Sequence, residues 1–270
     1  MTALAKPAPS NDLALVLRED QDGVARLTMN RPAQRNALSI ALMEALGEAF
    51  DRIKADPKIK VVVLAGAGPG YCAGHDLKEI RANPGRQFYE QTFAACSKLM
   101  LAITRLPKPV IARVHGVATA AGCQLVATCD LAVAAASARF ATPGVNIGLF
   151  CSTPMVALSR AVGRKQAMEM LLTGDLIDAD TAHRFGLVNR VVPDSELDAA
   201  VMALARQIAA KSPLTLAIGK EAFYRQIELG LADAYAYASE VMTRNMLARD
   251  AEQGVDAFIN KQPQPKWEGR

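Results

Sequence analysis

Two stretches of this chain carry residue types from which chemistry can be built: Tyr71-Cys72-Ala73-Gly74-His75-Asp76-Leu77 and His115-Gly116-Val117-Ala118-Thr119-Ala120-Ala121-Gly122-Cys123-Gln124. Each follows an apolar, strand-like run, Val61 to Ala65 and Pro109 to Val114, and each ends in small residues. The pattern predicts two bare backbone turns at the ends of two strands. A backbone N–H approaches a ligand carbonyl only where side chains leave room, and two converging N–H groups make an oxyanion hole. Cys123 to Cys129 is apolar with high helical propensity. Ala121 then falls at a helix N-terminus, where unpaired N–H groups and the positive end of the dipole favour a developing negative charge. The chemistry implied is stabilisation of an enolate or tetrahedral oxyanion on an acyl group. Taken alone, each Gly/Ala run reads as simply as tight packing. A dinucleotide-binding turn is the poorer reading: after Gly66 and Gly68 the third glycine position is Tyr71, and Pro69 interrupts the turn.

The elements that must position these turns follow from periodicity. Strands are expected over about 13–18 and 24–29, then a helix from Ser39 in which Leu42, Met43, Leu46, Phe50 and Ile53 form one apolar stripe. A second helix, about 86–104, places Tyr89, Phe93, Cys96, Met100 and Ile103 on one face. Strands at 110–114 and 130–135 follow. Past Pro193 no strand candidate remains: Ser195 is expected to cap a helix over 196–210, Ser212-Pro213 opens the next, and 231–248 makes a third. Leu231, Tyr235, Ala238, Met242 and Met246 on that last helix cover either this chain's own core or a neighbouring subunit. Pattern alone supports a mixed α/β class.

Composition bounds the function. The 270 residues are 51% apolar and carry a net charge of +4, without a basic run or aromatic-interleaved patch for nucleic acid. The longest apolar runs fall short of a membrane span, and Met1 to Asn11, with one lysine and two prolines, is unlike a signal peptide. Five cysteines without a Cys-x-x-Cys pair read as reduced thiols, and a cytoplasmic protein is expected. Three histidines without ligand spacing argue against a metal site; His115 and His183 read as packing or surface residues.

With Arg35-Asn36-Ala37-Leu38-Ser39 upstream and Pro143-Gly144-Val145-Asn146-Ile147-Gly148 and Phe185 to Val192 downstream, the chain resembles the crotonase (enoyl-CoA hydratase/isomerase) superfamily from about residue 12 to its end. Ala118 to Leu125 and Gly148 to Pro154 are most similar to its subgroup called enoyl-CoA hydratase domain-containing protein 3. The resemblance implies a spiral core of ββα units over 12–194, a helical oligomerisation region over 195–270, and a homotrimer or dimer of trimers. It implies lyase or isomerase chemistry of fatty acid metabolism, with a CoA thioester as substrate and no permanently bound cofactor. Carried across, the oxyanion donors are the N–H groups of His75 and Ala121. The CoA nucleotide is expected at Ala37, Leu38, Ala73, Asp76 and Leu77, with Phe258 and Lys261 reaching it from a neighbouring subunit. Without the resemblance, Lys261 is a solvated charge near a disordered tail. The His75 imidazole either enters the pocket as an acid or carboxylate-binding group, or fills space.

One departure governs the rest. The resemblance implies two catalytic glutamates at positions where this chain has Gln124 and Gly144. A glutamine amide orients water but is not basic at neutral pH, and glycine offers nothing, so hydration lacks its proton-transfer agents. Glutamates restored at both positions are expected to recover part of that activity. Asn146, Cys151, Ser152 and Thr153 are the polar groups nearby in sequence, and with Cys123 they read as pocket lining, since neither thiol has an evident charge to lower its pKa. Two classes stay open: an acyl-CoA enzyme whose reaction needs no carboxylate, such as decarboxylation or thioester hydrolysis, and a catalytically weak acyl-CoA binding or regulatory protein.

Overall fold

The computed structural model describes residues 14–270. Asp22 and Gly23 take φ of 53° and 77°, the paired positive values of a two-residue hairpin, so β1 (Val16–Gln21) returns along β2 (Val24–Met29) with Val16 opposite Met29. The first strand therefore ends later than its apolar residues suggested, because turn chemistry sets its boundary. From β2 the sheet continues in parallel through β3 (Val61–Gly66), β4 (Val110–Val114), β6 (Leu131–Ala135) and β9 (Arg190–Val192). A smaller sheet joins β5 (Val117–Thr119), β7 (Arg139–Ala141) and β8 (Ile177–Asp178).

Both faces of the large sheet are covered, which is why β3 is an unbroken apolar run buried along its length. Val62 and Leu64 point into the main core with α1 (Ile40–Ala55) and α3 (Arg86–Arg105). The hydroxyl of Ser39 caps α1 by accepting the Leu42 N–H at 3.2 Å, and the expected stripe from Leu42 to Ile53 is at most 2% exposed. On α3 the expected face holds only from Cys96 onward. Tyr89 and Phe93 stay 37% and 41% exposed, because the first half of the helix turns Thr92, 1% exposed, to the interior instead; α2 (Leu77–Ala82) precedes it in the chain.

Val61 and Val63 face the other side, where Leu197, Val201, Leu204, Ala205 and Ala209 of α8 (Leu197–Ala209) form the second core. Burying each large side chain of that stripe contributes about 1.5–3 kcal/mol. Ser195 does not cap this helix. It sits inside a 3-10 turn, Asp194–Glu196, which Asp194 fastens through the hydroxyl and N–H of Ser137, so Glu196 takes the junction without a side-chain cap. Earlier in the chain come α4 (Ala121–Thr128), α5 (Ser152–Ala161), α6 (Arg164–Thr173) and α7 (Ala179–Phe185).

Three more helices close the chain: α9 (Pro213–Gln226), α10 (Leu231–Met246) and α11 (Arg249–Ile259). Lys220 fixes α9 to the core, donating to Asp130 Oδ2 at 2.7 Å and to the carbonyls of Ile103 and Lys108, while the Tyr224 hydroxyl donates to Asp130 Oδ1 at 2.9 Å. The tail beyond Lys261, which reads as disordered only without the resemblance, is docked. Buried Asp250 accepts the N–H groups of Glu268 and Gly269 and the Ser212 hydroxyl, and Trp267 donates its indole N–H to the Ala210 carbonyl at 2.8 Å.

Candidate active site

The two small-residue turns lie side by side. The Cys72 N–H donates to Val117 O at 3.1 Å, the Thr119 N–H returns to Cys72 O at 3.0 Å, and the Thr119 hydroxyl donates to Ala73 O at 3.1 Å. Glycine makes this approach possible: a Cβ at Gly122 would stand 2.0 Å from Cys72 O. Gly74, with φ of 98°, brings the first turn so close to the second that its Cβ would stand 3.4 Å from the Ala121 nitrogen.

Gly74 O accepts from Leu38 and the Asp76 N–H donates to Leu38 O, so the His75 N–H between them faces the opposite way. It has no acceptor among the described residues, and neither does the N–H of Ala121, the first residue of α4. Ala120 is held at φ 50°, ψ −118°, a conformation costing on the order of 1–3 kcal/mol for a residue with a side chain. Its N–H donates to Ala141 O and its carbonyl accepts from Gln124, which keeps that strained peptide in place. Such strain beside two unpaired N–H groups marks a site that the surrounding fold over-determines.

The side chains around these donors are uncharged. The His75 ring meets Phe93 edge-on at 5.5 Å, its Nε2 has no partner, and burial lowers its pKa to about 4. Gln124 is 5% exposed, with Oε1 3.7 Å from the Cys96 Sγ. Burial pushes the thiols of Cys96 and Cys123 up to about 12 and raises that of Cys151, so none is a thiolate nucleophile near neutral pH. Ser152 and Asn146 are exposed, and the Asn146 amide lies against Gly174. His115 and His183 spend their ring nitrogens on local partners, the Gly68 carbonyl and Arg113 for one and the Val188 carbonyl for the other.

Gly144 changes the expectation for a restored carboxylate pair. It lies in a 3-10 turn, Pro143–Ile147, where a Cβ would stand 2.3 Å from Leu149 O and 2.9 Å from the Cys151 Sγ. The chain after the turn has closed onto this position, so a glutamate there requires the 149–151 backbone to move.

Of the expected CoA residues, Ala37, Leu38, Ala73, Asp76 and Leu77 form one segment pair beside the first turn. Arg31, which sequence reasoning missed, ties it together by donating to Ala37 O and, at 2.9 Å, to Asp76 Oδ2. Burial pushes the Asp76 carboxyl up, but the Arg31 guanidinium and the N–H groups of Glu79 and Lys78 outweigh it and hold it below the usual carboxylate range. Asn36, quoted above only within a motif, is fully buried; its amide donates to the carbonyls of Ala67, Gly70 and Tyr71 and so shapes the entry to the first turn. A charged residue in an Asn-Arg-Pro loop gave no local signal for an ion pair 45 residues away. Phe258, in the last turn of α11, is 85% exposed, and Lys261 beyond that helix is exposed as well. A cavity of about 1430 Å³ lies between α3, α4, α5, α9 and α10, touching Gln124 but neither His75 nor Ala121.

A sequence profile of the family described as Enoyl-CoA hydratase/isomerase matches residues 19–270. The chain belongs to this family. Enoyl-CoA hydratase domain-containing protein 3, mitochondrial, of Rattus norvegicus is 44% identical over 264 residues, 97% of this chain and 88% of the rat protein. Among solved structures, an enoyl-CoA hydratase of Mycobacterium smegmatis is 56% identical with a TM-score of 0.91, covering 94% of this chain and 98% of that one. Human enoyl Coenzyme A hydratase domain-containing protein 3 is 44% identical with a TM-score of 0.90, covering 93% and 100%. The crotonase fold and the resemblance to that subgroup therefore stand.

The expected cytoplasmic location does not stand. The rat protein and other vertebrate relatives at 44–46% identity are named mitochondrial. Buried free cysteines do not say which compartment holds the protein, and Met1 to Asn11, on which the expectation also leaned, lies outside the described residues. No helix among the described residues is long and apolar enough to cross a membrane. On α10 the stripe Leu231, Tyr235, Met242 and Met246 is 49–77% exposed, so it does not cover this chain's own core.

Proposed function

We propose that this member of the enoyl-CoA hydratase/isomerase family binds acyl-CoA thioesters and polarises the thioester carbonyl with the N–H groups of His75 and Ala121, without being an efficient hydratase. The observation that carries this reading is the pair of N–H groups without acceptors on two turns joined at Cys72. Two such donors each contribute roughly 3 kcal/mol of transition-state stabilisation to a developing enolate. Proton transfer is what the site lacks: general acid or base help contributes about 10²- to 10⁴-fold per group, and Gln124 and Gly144 supply none. Decarboxylation, in which loss of CO2 itself generates the enolate, and thioester hydrolysis need neither glutamate.

The nucleotide part of CoA is assigned to the backbone around Ala37, Leu38, Ala73, Asp76 and Leu77, with Phe258 and Lys261 contributed by a neighbouring subunit of a trimer or dimer of trimers. The exposed stripe of α10 supports that assembly. A purely binding or regulatory role is favoured by the raised thiol pKa values, which leave no nucleophile beside the donors. Calorimetry with acetyl- and crotonyl-CoA, followed by turnover assays on enoyl-, malonyl- and saturated acyl-CoA, separates the two: binding with turnover supports the enzyme, binding alone the regulatory protein. Absence of heat and of any thermal shift at millimolar thioester removes the acyl-CoA reading.

A further inference from the structure

We propose that His115 is a positioning residue for the first turn: its imidazole ties the 67–71 loop, which leads into that turn, to Arg113 and Asp198, and CoA thioesters bind most tightly while the ring is neutral. The inference rests on the acyl-CoA reading above and adds to it a residue outside the site. Its starting point is that the hydrogen bonds around the ring admit one protonation state. Arg113 Nη1 stands 3.0 Å from Nδ1, and Nε2 stands 2.8 Å from the Gly68 carbonyl oxygen. A guanidinium only donates and a carbonyl only accepts, so Nδ1 is the bare acceptor and Nε2 carries the hydrogen.

Both ends of this relay are fixed. The Arg113 side chain is 13% exposed, and its Nε and Nη2 donate to the two carboxylate oxygens of Asp198 on α8, each at 2.8 Å, which leaves Nη1 for the ring. Arg26 of β2 shares Asp198 Oδ1 at 3.0 Å. At the other end the loop is gripped from two sides. The Asn36 amide donates to the Ala67, Gly70 and Tyr71 carbonyls, while His115 donates to the Gly68 carbonyl from its ring and accepts the Tyr71 N–H at its own carbonyl, at 3.0 Å. Gly116 packs so closely that a Cβ there would stand 2.2 Å from Pro69 O. Cys72 follows directly and donates to Val117 O, so a displacement at Gly68 is passed to Cys72 and the turn beyond it.

A proton on Nδ1 sets N–H against N–H and cation against cation at the Arg113 contact, which then opens. The other charges around the ring are Arg26 on β2, Asp198 on α8 and Asp194 in the 3-10 turn before it, while Arg139 on β7 spends its guanidinium on the Ala136 and Ala138 carbonyls. Burial, Arg113 and Arg26 disfavour the imidazolium more than the Gly68 carbonyl and Asp198 favour it, so the ring titrates below its ordinary 6.5. The tie is therefore complete above about pH 6.5 and is lost as pH falls through the lowered value.

The test measures acetyl-CoA affinity by calorimetry on the full chain from about pH 7.5 to about pH 4.5, for the unaltered protein, His115→Gln and His115→Leu, with a thermal melt at each pH. Glutamine accepts from Arg113 and donates to Gly68 without titrating, whereas leucine does neither. At about pH 7.5 the glutamine variant is expected to bind within about twofold of the unaltered protein and the leucine variant about three- to tenfold more weakly, the fold-change of one lost hydrogen bond. His115→Ala replaces the leucine variant if that does not fold. The 3′-phosphate of CoA titrates in the same range for every variant, so pH dependence is read as the affinity of the unaltered protein relative to His115→Gln. That ratio is expected to fall about three- to tenfold across the pH at which nitrogen NMR shows the His115 ring to titrate, and the same spectra are expected to show the hydrogen on Nε2. A leucine variant that melts lower yet binds as tightly makes His115 a stability residue alone and overturns the proposal. So does a ratio that stays constant through the titration of the ring, or a hydrogen on Nδ1 at about pH 7.5, and each of these leaves the acyl-CoA reading intact. Failure of the unaltered protein to bind any thioester overturns both.

Discussion

Replacing Gly144 by alanine is the smallest change that tests whether the third motif has closed around its glycine. The added methyl would stand 2.3 Å from the Leu149 carbonyl oxygen and 2.9 Å from the Cys151 sulfur, both inside normal contact. Backbone φ is not the obstacle, since Gly144 is absent from the positive-φ glycines. The cost is overpacking against backbone, which cannot rotate away as a side chain can, and such insertions typically cost about 1–3 kcal/mol. At roughly 2–4 °C per kcal/mol for a chain of this size, the melting temperature should fall by roughly 2–12 °C. Gly47→Ala supplies the control of opposite sign: it lies within α1 with nothing within 4 Å of its Cβ, and removing a helix-interior glycine should stabilise by about 0.5–1 kcal/mol. Thermal unfolding by circular dichroism reads both. If Gly144→Ala melts at or above the unaltered protein, the turn has slack and the argument against a glutamate there fails.

Gln124→Glu alone should fold and raise crotonyl-CoA hydration by up to about 100-fold over a negligible starting rate, read from loss of enoyl absorbance; tens of turnovers per second in the unaltered protein would remove the account of the missing base. Lys220→Met should destabilise the fold by about 1–3 kcal/mol in denaturant titration, because it strips the half-buried Asp130 of its cation, and an unchanged midpoint would show that α9 does not need that pair. Asp250 is pushed up by burial but held below its ordinary 3.8 by the Ser212 hydroxyl and the N–H groups of Glu268 and Gly269. Its contribution is therefore complete above about pH 4 and lost as pH falls through the depressed value, so Asp250→Asn should cost about 1–3 kcal/mol at pH 7 and progressively less as the pH is lowered below its ordinary 3.8. For the same reason, deleting 262–270 should loosen the α9–α11 junction, and Lys261→Ala is the cleaner probe of a role in CoA binding, checked by calorimetry with a melt alongside.

Where the sequence was legible, one local signal decided the outcome. The stripe of α1 and the hydroxyl of Ser39 specify that helix from its own residues, and the unbroken run of β3 announces a strand covered on both faces. Where it was not, the deciding partner was distant. The first half of α3 has the same periodicity as its second, and only the packing around the helix tells exposed Tyr89 and Phe93 from buried Cys96 and Ile103. Arg31 earns its role from Asp76, Asn36 from three carbonyls more than thirty residues on, and the docked tail from Asp250, none of which leaves a mark in the local pattern.

The two positions that lack a glutamate differ in kind, although in the sequence they look alike. Gln124 occupies a side-chain site: its amide is nearly isosteric with a carboxylate, it touches Cys96 at 3.7 Å, and a glutamate would fit with its pKa raised by burial toward the range useful for a base. Gly144 occupies a backbone site, filled by the Leu149 carbonyl, with the Leu149 N–H donating to Gly144 O at 2.9 Å to hold the turn shut. One substitution reverses the first difference and none reverses the second. A pair of carboxylates is thus excluded by the path of the chain, while two N–H groups are left facing the site without acceptors. On the proposed function, a reaction at this site draws on those donors, the neutral ring of His75 and the amide of Gln124: decarboxylation, in which the ligand itself releases the electrons that form the enolate, or attack of water on the polarised thioester, in which the leaving thiolate takes up the proton that the water loses.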